Sequence, residues 1–348
     1  MANDLSEKTG SSKETYDDRP FHSDDLPPEV RAPLAPYGGV EPASPEWFKW
    51  AIAQEPERSF VESHGTKIEA LTWGERGKPG LLLAHGNSAH ADWWSFIAPY
   101  LAKDYRVTAM SLAGMGESDW RETYRFSDFA DDAEAVSRAT GLYDGGRKPI
   151  YIGHSFGGGQ VFFTAAQRPE LMEAAILVDT GFGGPPPEVL KERAARRELL
   201  ANIPSPDKPT RVYPTLAKAL ERFRLMPPQP AENHYILDFI ARRSLKRAPL
   251  PEGGEGFAWK FDPNMWEKLD RSGMGMSHGG KLPPTAVPLV HMYGEKSRII
   301  ERRRAGEETA LAEIAQEIEI PDSHHHVMID QPLALVAALR TLLATWPH

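Results

Sequence analysis

The stretch "IYIGHSFGGG" at residues 150–159 places a serine between two glycines. Ser155 has Gly153 two residues before it and Gly157 two residues after it, and an apolar run precedes this pattern. The small residues that follow are typical of the start of a helix. A strand, a sharp turn and a helix in this order suit a nucleophilic serine, because the turn lifts the hydroxyl above the sheet. We therefore predict that Ser155 is a nucleophile; a plain strand-to-helix turn is the alternative.

Apolar runs on both sides of this stretch alternate with helix-like segments. The runs at 80–86, 105–112 and 173–181 are short and nearly continuous, which is typical of strands covered on both faces. The segment at 127–141 has the pattern of an amphipathic helix. This alternation predicts an α/β fold, with a mostly parallel sheet of the eight-stranded type and helices on both faces. Functional side chains are expected just after the carboxyl ends of the strands.

Composition excludes several kinds of site. The 348 residues carry a net charge of −9, which argues against a nucleic-acid groove, since phosphate binding requires clustered basic residues. The sequence has no cysteine, so disulfides, thiolate zinc sites and a cysteine nucleophile are excluded. The first twenty residues lack the apolar core of a signal peptide, and no apolar run is long enough to span a membrane. We expect a soluble cytoplasmic protein that acts on a small molecule, without nucleic-acid or membrane partners; the oligomeric state is not predicted.

Changes in composition divide the chain into an extension, a core and an insertion. Residues 1–44 are polar and rich in proline, which predicts an N-terminal extension without stable structure. Residues 45–181 and 285–348 contain the alternating strands and helices of the core. Residues 182–284 break the alternation over a length that is too great for an ordinary loop. We predict that this insertion is a mainly helical cap, placed after the strand that follows the nucleophile's strand.

Five short motifs occur in a fixed order along the chain. They are "LLLAHGN" at 81–87, "AGMGESD" at 113–119, "GHSFGG" at 153–158, "PLVHMYGEKSRI" at 288–299 and "IPDSHHHVMIDQP" at 320–332. From about residue 58 to residue 345 the sequence thereby resembles the α/β-hydrolase family. The resemblance implies a serine hydrolase of the esterase or lipase type, with a cap domain over the active site.

The resemblance also assigns an oxyanion hole and a general base. The backbone N–H groups of Asn87 and Phe156 correspond to the pair that stabilises the oxyanion in such enzymes. Counting from "IP" at 320–321, and back from "DQP" at 330–332, identifies His325 as the base. The run of three histidines also suggests a metal site, but the partners of a catalytic triad are present, so we predict no metal.

The acid of the triad is less directly assigned. In the family, the acid usually lies just past the next-to-last strand, three residues after a glycine. Here that glycine is Gly294, and the position is occupied by Ser297. A serine cannot stabilise an imidazolium as a carboxylate does. Asp179 ends the strand after the nucleophile's strand, where some members of the family carry their acid. We therefore predict Asp179, with Glu295 as the alternative.

A serine nucleophile implies attack on a carbonyl and an acyl-enzyme. We predict hydrolysis of a carboxylic ester or lactone of an apolar or aromatic small molecule, without a cofactor. A C–C bond hydrolase, an amidase or thioesterase with the same triad, and a non-enzymatic ligand-binding member of the fold are the alternatives. Trp93, Trp259 and Trp266 are the predicted substrate-binding residues, within an aromatic and methionine-rich wall. Met274 and Met276 of that wall lie outside the residues described below.

Overall fold

A central sheet organises the protein. The computed structural model describes residues 26–182, 210–270, 282–299, 301, 311 and 314–346. The strands of these residues, numbered in chain order, are β1 (Glu57–Ser63), β2 (Thr66–Trp73), β3 (Gly80–Ala84), β4 (Arg106–Met110), β5 (Tyr124–Arg125), β6 (Ile150–His154), β7 (Ala174–Val178), β8 (Val212–Tyr213), β9 (Leu245–Pro249), β10 (Glu255–Trp259), β11 (Leu269–Asp270), β12 (Leu289–Gly294) and β13 (Gln316–Ile320).

Helices connect and cover these strands. They are α1 (Pro28–Arg31), α2 (Glu46–Ile52), α3 (Phe126–Ala139), α4 (Phe156–Gln167), α5 (Leu216–Leu220), α6 (His234–Arg243), α7 (Met265–Lys268), α8 (Val327–Asp330) and α9 (Pro332–Thr345). Short 3-10 segments lie at Ala35–Tyr37, Ala91–Trp94, Ala98–Tyr100 and Pro169–Leu171. Within the described ranges, no helix combines the length and the apolar character needed to cross a membrane.

Eight strands form the main sheet in the order β1-β2-β4-β3-β6-β7-β12-β13. Strand β2 runs antiparallel to β1 and β4, and every other neighbouring pair is parallel. The carboxyl ends of β3, β6, β7 and β12 therefore lie along one edge of the sheet. The predicted fold class, a mostly parallel eight-stranded sheet with helices, is confirmed.

Strand β3 shows why the sequence folds this way. Its residues 80–84 are all buried. Leu81 and Leu83 belong to one apolar cluster and Leu82 and Ala84 to another, because successive side chains of a strand point to opposite faces. A continuous apolar run is thus required wherever helices cover both faces of the sheet.

The described part of the insertion differs from the predicted helical cap. Besides α5, α6 and α7 it contains a three-stranded antiparallel sheet in the order β8-β10-β9. Strands β9 and β10 form a hairpin whose turn includes Gly253 and Gly254, with φ of 94° and 84°. Two adjacent glycines in this conformation favour a tight reversal of the chain. The "PEGGEG" turn at 251–256 is the sequence signal for this hairpin that the helical interpretation overlooked.

The N-terminal segment differs from the prediction over residues 26–44. Val30, Leu34 and Tyr37 are spaced as on one face of a helix, and Leu34 is only 1% exposed. The Tyr37 hydroxyl lies 2.9 Å from His234 Nδ1 on α6. Arg242, also on α6, donates from Nη2 to the carbonyl oxygen of Gly39 at 2.7 Å. A few apolar anchors and these polar contacts hold a segment whose average composition is polar; residues 1–25 lie outside the described residues.

Candidate active site

Ser155 occupies the turn between β6 and α4. Its backbone has φ 52° and ψ −117°, a conformation that residues with side chains rarely adopt. Its N–H donates to the carbonyl oxygen of Val178 on β7, and its carbonyl accepts from the N–H of Gly159, each at 3.0 Å. Because hydrogen bonds fix both sides of the residue, the surrounding structure holds the strained turn in place.

Two glycines allow this turn by letting backbone segments come close together. A Cβ added at Gly153 would lie 2.4 Å from the carbonyl oxygen of Gly157. A Cβ added at Gly157 would lie 2.3 Å from the carbonyl oxygen of His85 at the end of the neighbouring strand. Both distances are shorter than real Cβ contacts, so an alanine at either position would push backbone apart. The glycine spacing around Ser155 is thus a steric requirement of the turn.

His325 links this serine to a buried carboxylate. Its Nε2 lies 2.9 Å from Ser155 Oγ, and its Nδ1 lies 2.9 Å from Asp179 Oδ1. Since a carboxylate can only accept, Nδ1 carries the proton and Nε2 is left to accept from the serine hydroxyl. The structure thus brings together the three side chains that the sequence predicted as a triad, in an arrangement that can activate a hydroxyl.

Asp179 lies just beyond β7, with φ 44° and an exposure of 0%. Besides His325, its carboxylate accepts from the N–H of Gly294 at 2.8 Å and from the hydroxyl of Ser297 at 2.6 Å. These donors stabilise a negative charge that has no access to water. Ser297, at the position where the family usually has its acid, therefore supports the carboxylate that reaches the imidazole from the neighbouring strand.

Glu295, the alternative acid, points elsewhere. It is exposed, and its Oε2 accepts from the N–H of Asp322 at 2.9 Å. The structure does not bring it to His325. The reason is local: Glu295 N–H pairs with the carbonyl of Ile320 at the end of β13, which leaves the side chain on the outer surface.

Two more histidines surround the imidazole of His325. His154 Nε2 lies 3.0 Å from the carbonyl oxygen of His325, and burial lowers the pKa of His154 to about 3. Burial also lowers the pKa of His326 well below its ordinary value. One ring nitrogen from each of the three residues lies within 4.8 Å of the others, a donor set that suits a metal ion chemically. Both nitrogens of His325 are engaged by Ser155 and Asp179, so a metal there would break those hydrogen bonds.

The two N–H groups assigned to the oxyanion hole follow neighbouring parallel strands. Asn87 comes after β3, and Phe156 is the first residue of α4. A Cβ added at Gly86 would lie 3.4 Å from Ser155 Cβ, so the loop after β3 lies against the serine. Within the described chain, neither the Asn87 nor the Phe156 N–H donates to a protein acceptor. Both are available to a ligand oxygen, and the N-terminal end of α4 adds favourable dipoles.

A cavity of about 460 Å³ lies between the loop after β3 and the described part of the cap. Polar groups beside the serine, aromatic rings and basic side chains all contribute to its wall. The lining residues are Asn87, Ser88, Trp93, Arg211, Tyr213, Arg222, Phe223, Arg224, Leu225, Met226, Ser244, Trp259, Phe261 and His326. Its volume suits a small organic molecule.

The three predicted substrate-binding tryptophans have different positions. Trp93 and Trp259 line the cavity. Trp266 is absent from the described lining; it is 44% exposed, and its ring packs edge-on against Phe156 at 5.5 Å between centroids. The structure therefore brings two of the three to the cavity and places the third behind the nucleophile turn.

Sequence reasoning missed the basic part of this wall. Arg222 and Arg224 alternate with apolar residues in "RFRLMPP" at 222–228, and Arg211 precedes β8. This alternation of charged and apolar residues before two prolines is the signal in the sequence for that part of the wall. His326 also lines the cavity and was not predicted to do so, because the histidine run was interpreted only as a catalytic base or a metal site.

Comparisons with known proteins agree with this architecture. A family model described as "Alpha/beta hydrolase family" matches residues 81–339. Human "Epoxide hydrolase 4" is 29% identical over 139 residues, which are 39% of this chain and 36% of that protein. "Non-heme chloroperoxidase" of Streptomyces lividans is 34% identical over 165 residues, which are 42% of this chain and 58% of that protein. The alignments thus span less than two thirds of either relative.

A solved structure shows the same fold over a larger share of the chain. The "Thioesterase Domain From Curacin Biosynthetic Pathway" superposes with a TM-score of 0.60 at 23% identity. The superposition covers 83% of this chain and 99% of that domain. The family model matches well over half of the sequence, including most strands of the main sheet and the nucleophile turn, so the chain belongs to the alpha/beta hydrolase family.

Proposed function

We propose that this protein is a serine hydrolase that cleaves a carboxylic ester or lactone through an acyl-enzyme on Ser155. The observation that supports this best is the chain of hydrogen bonds from Ser155 through His325 to Asp179, with 2.9 Å at each step. A hydroxyl in this setting can lose its proton to the imidazole as it attacks.

The proposed reaction begins with attack of Ser155 Oγ on the carbonyl carbon. The hydroxyl proton moves to His325 Nε2, and the carbonyl oxygen becomes an oxyanion that accepts from the N–H groups of Asn87 and Phe156. The tetrahedral intermediate collapses, the bond to the alcohol oxygen breaks, and His325 returns the proton to the leaving alkoxide. Water then adds to the acyl-enzyme in the same way, releasing the acid and restoring the Ser155 hydroxyl.

Asp179 would act through the imidazole rather than on the substrate. Its contact with Nδ1 selects the tautomer that leaves Nε2 free, and its charge stabilises the imidazolium that forms during attack. The hydrogen bonds from Gly294 and Ser297 hold the carboxylate in place while the proton moves. These contacts explain why this chain can do without a carboxylate at position 297.

The identity of the nucleophile favours carbonyl chemistry over the reaction named in one relative. If a serine hydroxyl opened an epoxide, the product would be an ether between Ser155 and the substrate. Water would not hydrolyse this ether, so the enzyme would not be regenerated. Attack on an ester, amide or thioester instead gives an acyl-enzyme that water can hydrolyse. This argument favours acyl transfer and leaves the leaving group to be determined.

Intact mass after incubation with a small fluorophosphonate, together with turnover of p-nitrophenyl esters, tests the proposal. We expect one adduct in the wild-type protein and none in Ser155→Ala. Hydrolysis should fall by about 10⁴-fold or more in that variant, because the nucleophile is lost. The melting temperature should stay within a few degrees of that of the wild type. Thioester or anilide turnover that exceeds ester turnover would move the assignment to a thioesterase or amidase. Absence of both adduct and turnover would favour the ligand-binding alternative.

A further inference from the structure

The cavity lined by Asn87 and His326 has an unexpected charge. Although the chain carries a net charge of −9, the described cavity wall contains three arginines, Arg211, Arg222 and Arg224, and no aspartate or glutamate. All three side chains are exposed, so the wall forms a positively charged surface that favours an anionic ligand.

These arginines also differ from others in the molecule. Arg121 forms two hydrogen bonds of 2.8 Å with Asp132, and Arg106 forms bonds of 2.7 and 2.8 Å with Glu57. In the part of the chain that the structure describes, none of the three cavity arginines has a carboxylate partner. Arg211 instead stacks over the ring of Tyr213, with 5.3 Å from its guanidinium carbon to the ring centroid. Their donors are therefore available to a ligand.

The same cavity wall also holds a buried polar group without a partner. Trp93 Nε1 is buried and makes no hydrogen bond within the described part of the chain. His326 is 4% exposed and lies on the cavity wall, with its ring 5.6 Å from that of Trp93. Unpartnered polar groups of this kind are unfavourable in a folded protein unless a ligand or water satisfies them.

Aromatic rings form much of the rest of this wall. Tyr213, Phe223 and Trp259 line the cavity, and the Trp259 ring packs on both others, with ring centroids 6.3 Å from Tyr213 and 6.0 Å from Phe223. The wall thus combines Asn87, an apolar aromatic surface and three basic side chains. A matching ligand has a reactive polar group, an apolar spacer and an anion.

We propose that the substrate carries a carboxylate, separated by an apolar spacer from the bond that is cleaved, and that Arg211, Arg222 and Arg224 bind this carboxylate. The proposal rests on the proposed function for the identity of the cleaved bond. A guanidinium matches a carboxylate through paired N–H donors, which gives direction as well as charge. The apolar or aromatic character that the sequence predicts for the substrate would then describe only its spacer.

The first test compares two esters of equal chain length. Mono-p-nitrophenyl suberate ends in a carboxylate where p-nitrophenyl octanoate ends in a methyl group; the methyl ester of the suberate is a neutral polar control. We expect kcat/KM to favour the free carboxylate by about tenfold over both neutral esters in low salt, from several charge-assisted contacts. The preference should shrink in 0.5 M NaCl, because screening weakens partly exposed ion pairs.

Variants identify the residues that cause this preference. In Arg222→Gln/Arg224→Gln the ratio of kcat/KM for the suberate to kcat/KM for the octanoate should fall to within about twofold of one, since the variant removes the charges that bind the carboxylate. Arg222→Lys/Arg224→Lys should keep part of the preference. Arg340→Gln, an exposed arginine on α9 away from the cavity, is the matched control and should behave as the wild type.

Binding to Ser155→Ala separates this proposal from the proposed function. If calorimetry shows tighter binding of the carboxylate ester than of the neutral esters, and the arginine variant loses that difference, the proposal stands even without turnover in the wild type. Equal affinity for the charged and neutral esters, or a preference that survives in Arg222→Gln/Arg224→Gln, would overturn it. If the carboxylate proposal is overturned in this way, turnover of neutral esters together with an adduct on Ser155 would still support the proposed function.

Discussion

The strand ends beside Ser155 and the cap wall opposite differ in how their side chains are held. Asp179 is fully buried and receives three hydrogen bonds, and Ser155 is fixed by backbone bonds on both sides. The cavity arginines 222 and 224 are exposed and make no ion pair within the described chain. Reactive groups must hold a narrow geometry, whereas recognition groups must exchange water for ligand. Substitutions at the strand ends should therefore change kcat, and substitutions in the cap wall should change KM.

Replacing Asp179 should have the largest effect on the reactive end. In Asp179→Asn the amide no longer selects the active tautomer of His325 or stabilises its charged form, so kcat should fall by about 10⁴-fold. Glu295→Gln is the matched control and should stay within about twofold of wild type, because Glu295 contacts Asp322 and not the imidazole. Steady-state kinetics on a p-nitrophenyl ester measure both. The opposite ranking of the two variants would show that the acid is Glu295.

Acidification should destabilise the strand-end region through its buried histidines. Burial lowers the pKa of His85 and of His154 from 6.5 to about 3, and the pKa of His326 well below 6.5. Between these values the unfolded chain binds protons that the folded chain does not, so stability falls as pH drops below 6.5. His85 and His154 should each lower the free energy of unfolding by about 1.4 kcal/mol between pH 7.5 and 5.5, or about 3 kcal/mol together, and His326 should add to this loss.

Urea unfolding at these two pH values measures that difference. His154→Gln should reduce that difference by about 1.4 kcal/mol, whereas His64→Gln, at a side chain that is 68% exposed, should leave it unchanged. A free energy of unfolding that is equal at pH 7.5 and 5.5 would contradict the buried neutral state of these histidines.

Replacing the two cap tryptophans, Trp259 and Trp266, should have the smallest effect on the kinetics. Trp259→Leu removes part of the cavity wall and should raise KM about three- to tenfold with little change in kcat, because it lies away from the reacting atoms. Trp266→Leu should leave KM within about twofold, since Trp266 packs on Phe156 outside the described cavity lining. An equal rise of KM in both variants would mean that the cavity extends behind the nucleophile turn.

The residues of the nucleophile turn could be predicted from the sequence because backbone geometry limits which residue types can occupy its positions. Gly153 and Gly157 are required by contacts shorter than 2.5 Å to an added Cβ, so the spacing around Ser155 is visible as a pattern. His325 was assigned through the family resemblance, by counting from "IP" at 320–321 and back from "DQP" at 330–332. Asp179 was identified by its place at a strand end, yet the pairing with Ser297 was not, because the pattern does not show which hydroxyl will donate.

The cap wall escaped prediction for the opposite reason. Exposed arginines carry no periodic signal that separates a binding surface from ordinary solvated charge. The helical interpretation of the insertion also failed at β8, β9 and β10, since the short strands of a small sheet depend on their cross-strand partners more than on local composition. The packing of Leu34 and Tyr37 was hidden in the same way by the polar average of the first 44 residues.

The attachment of the N-terminal segment to α6 couples ligand binding in the cavity to the protease sensitivity of that segment. Tyr37 and Gly39 bond to His234 and Arg242 of the same helix, so the cap is tied to the chain on its N-terminal side as well as through its own two connections. Thermodynamic linkage is reciprocal. Any ligand that binds more tightly when the cap is seated will strengthen these contacts by the same free energy. Cleavage of the chain by a protease between residues 26 and 44 should therefore slow as the cavity fills, which makes the segment a reporter of occupancy that requires no label.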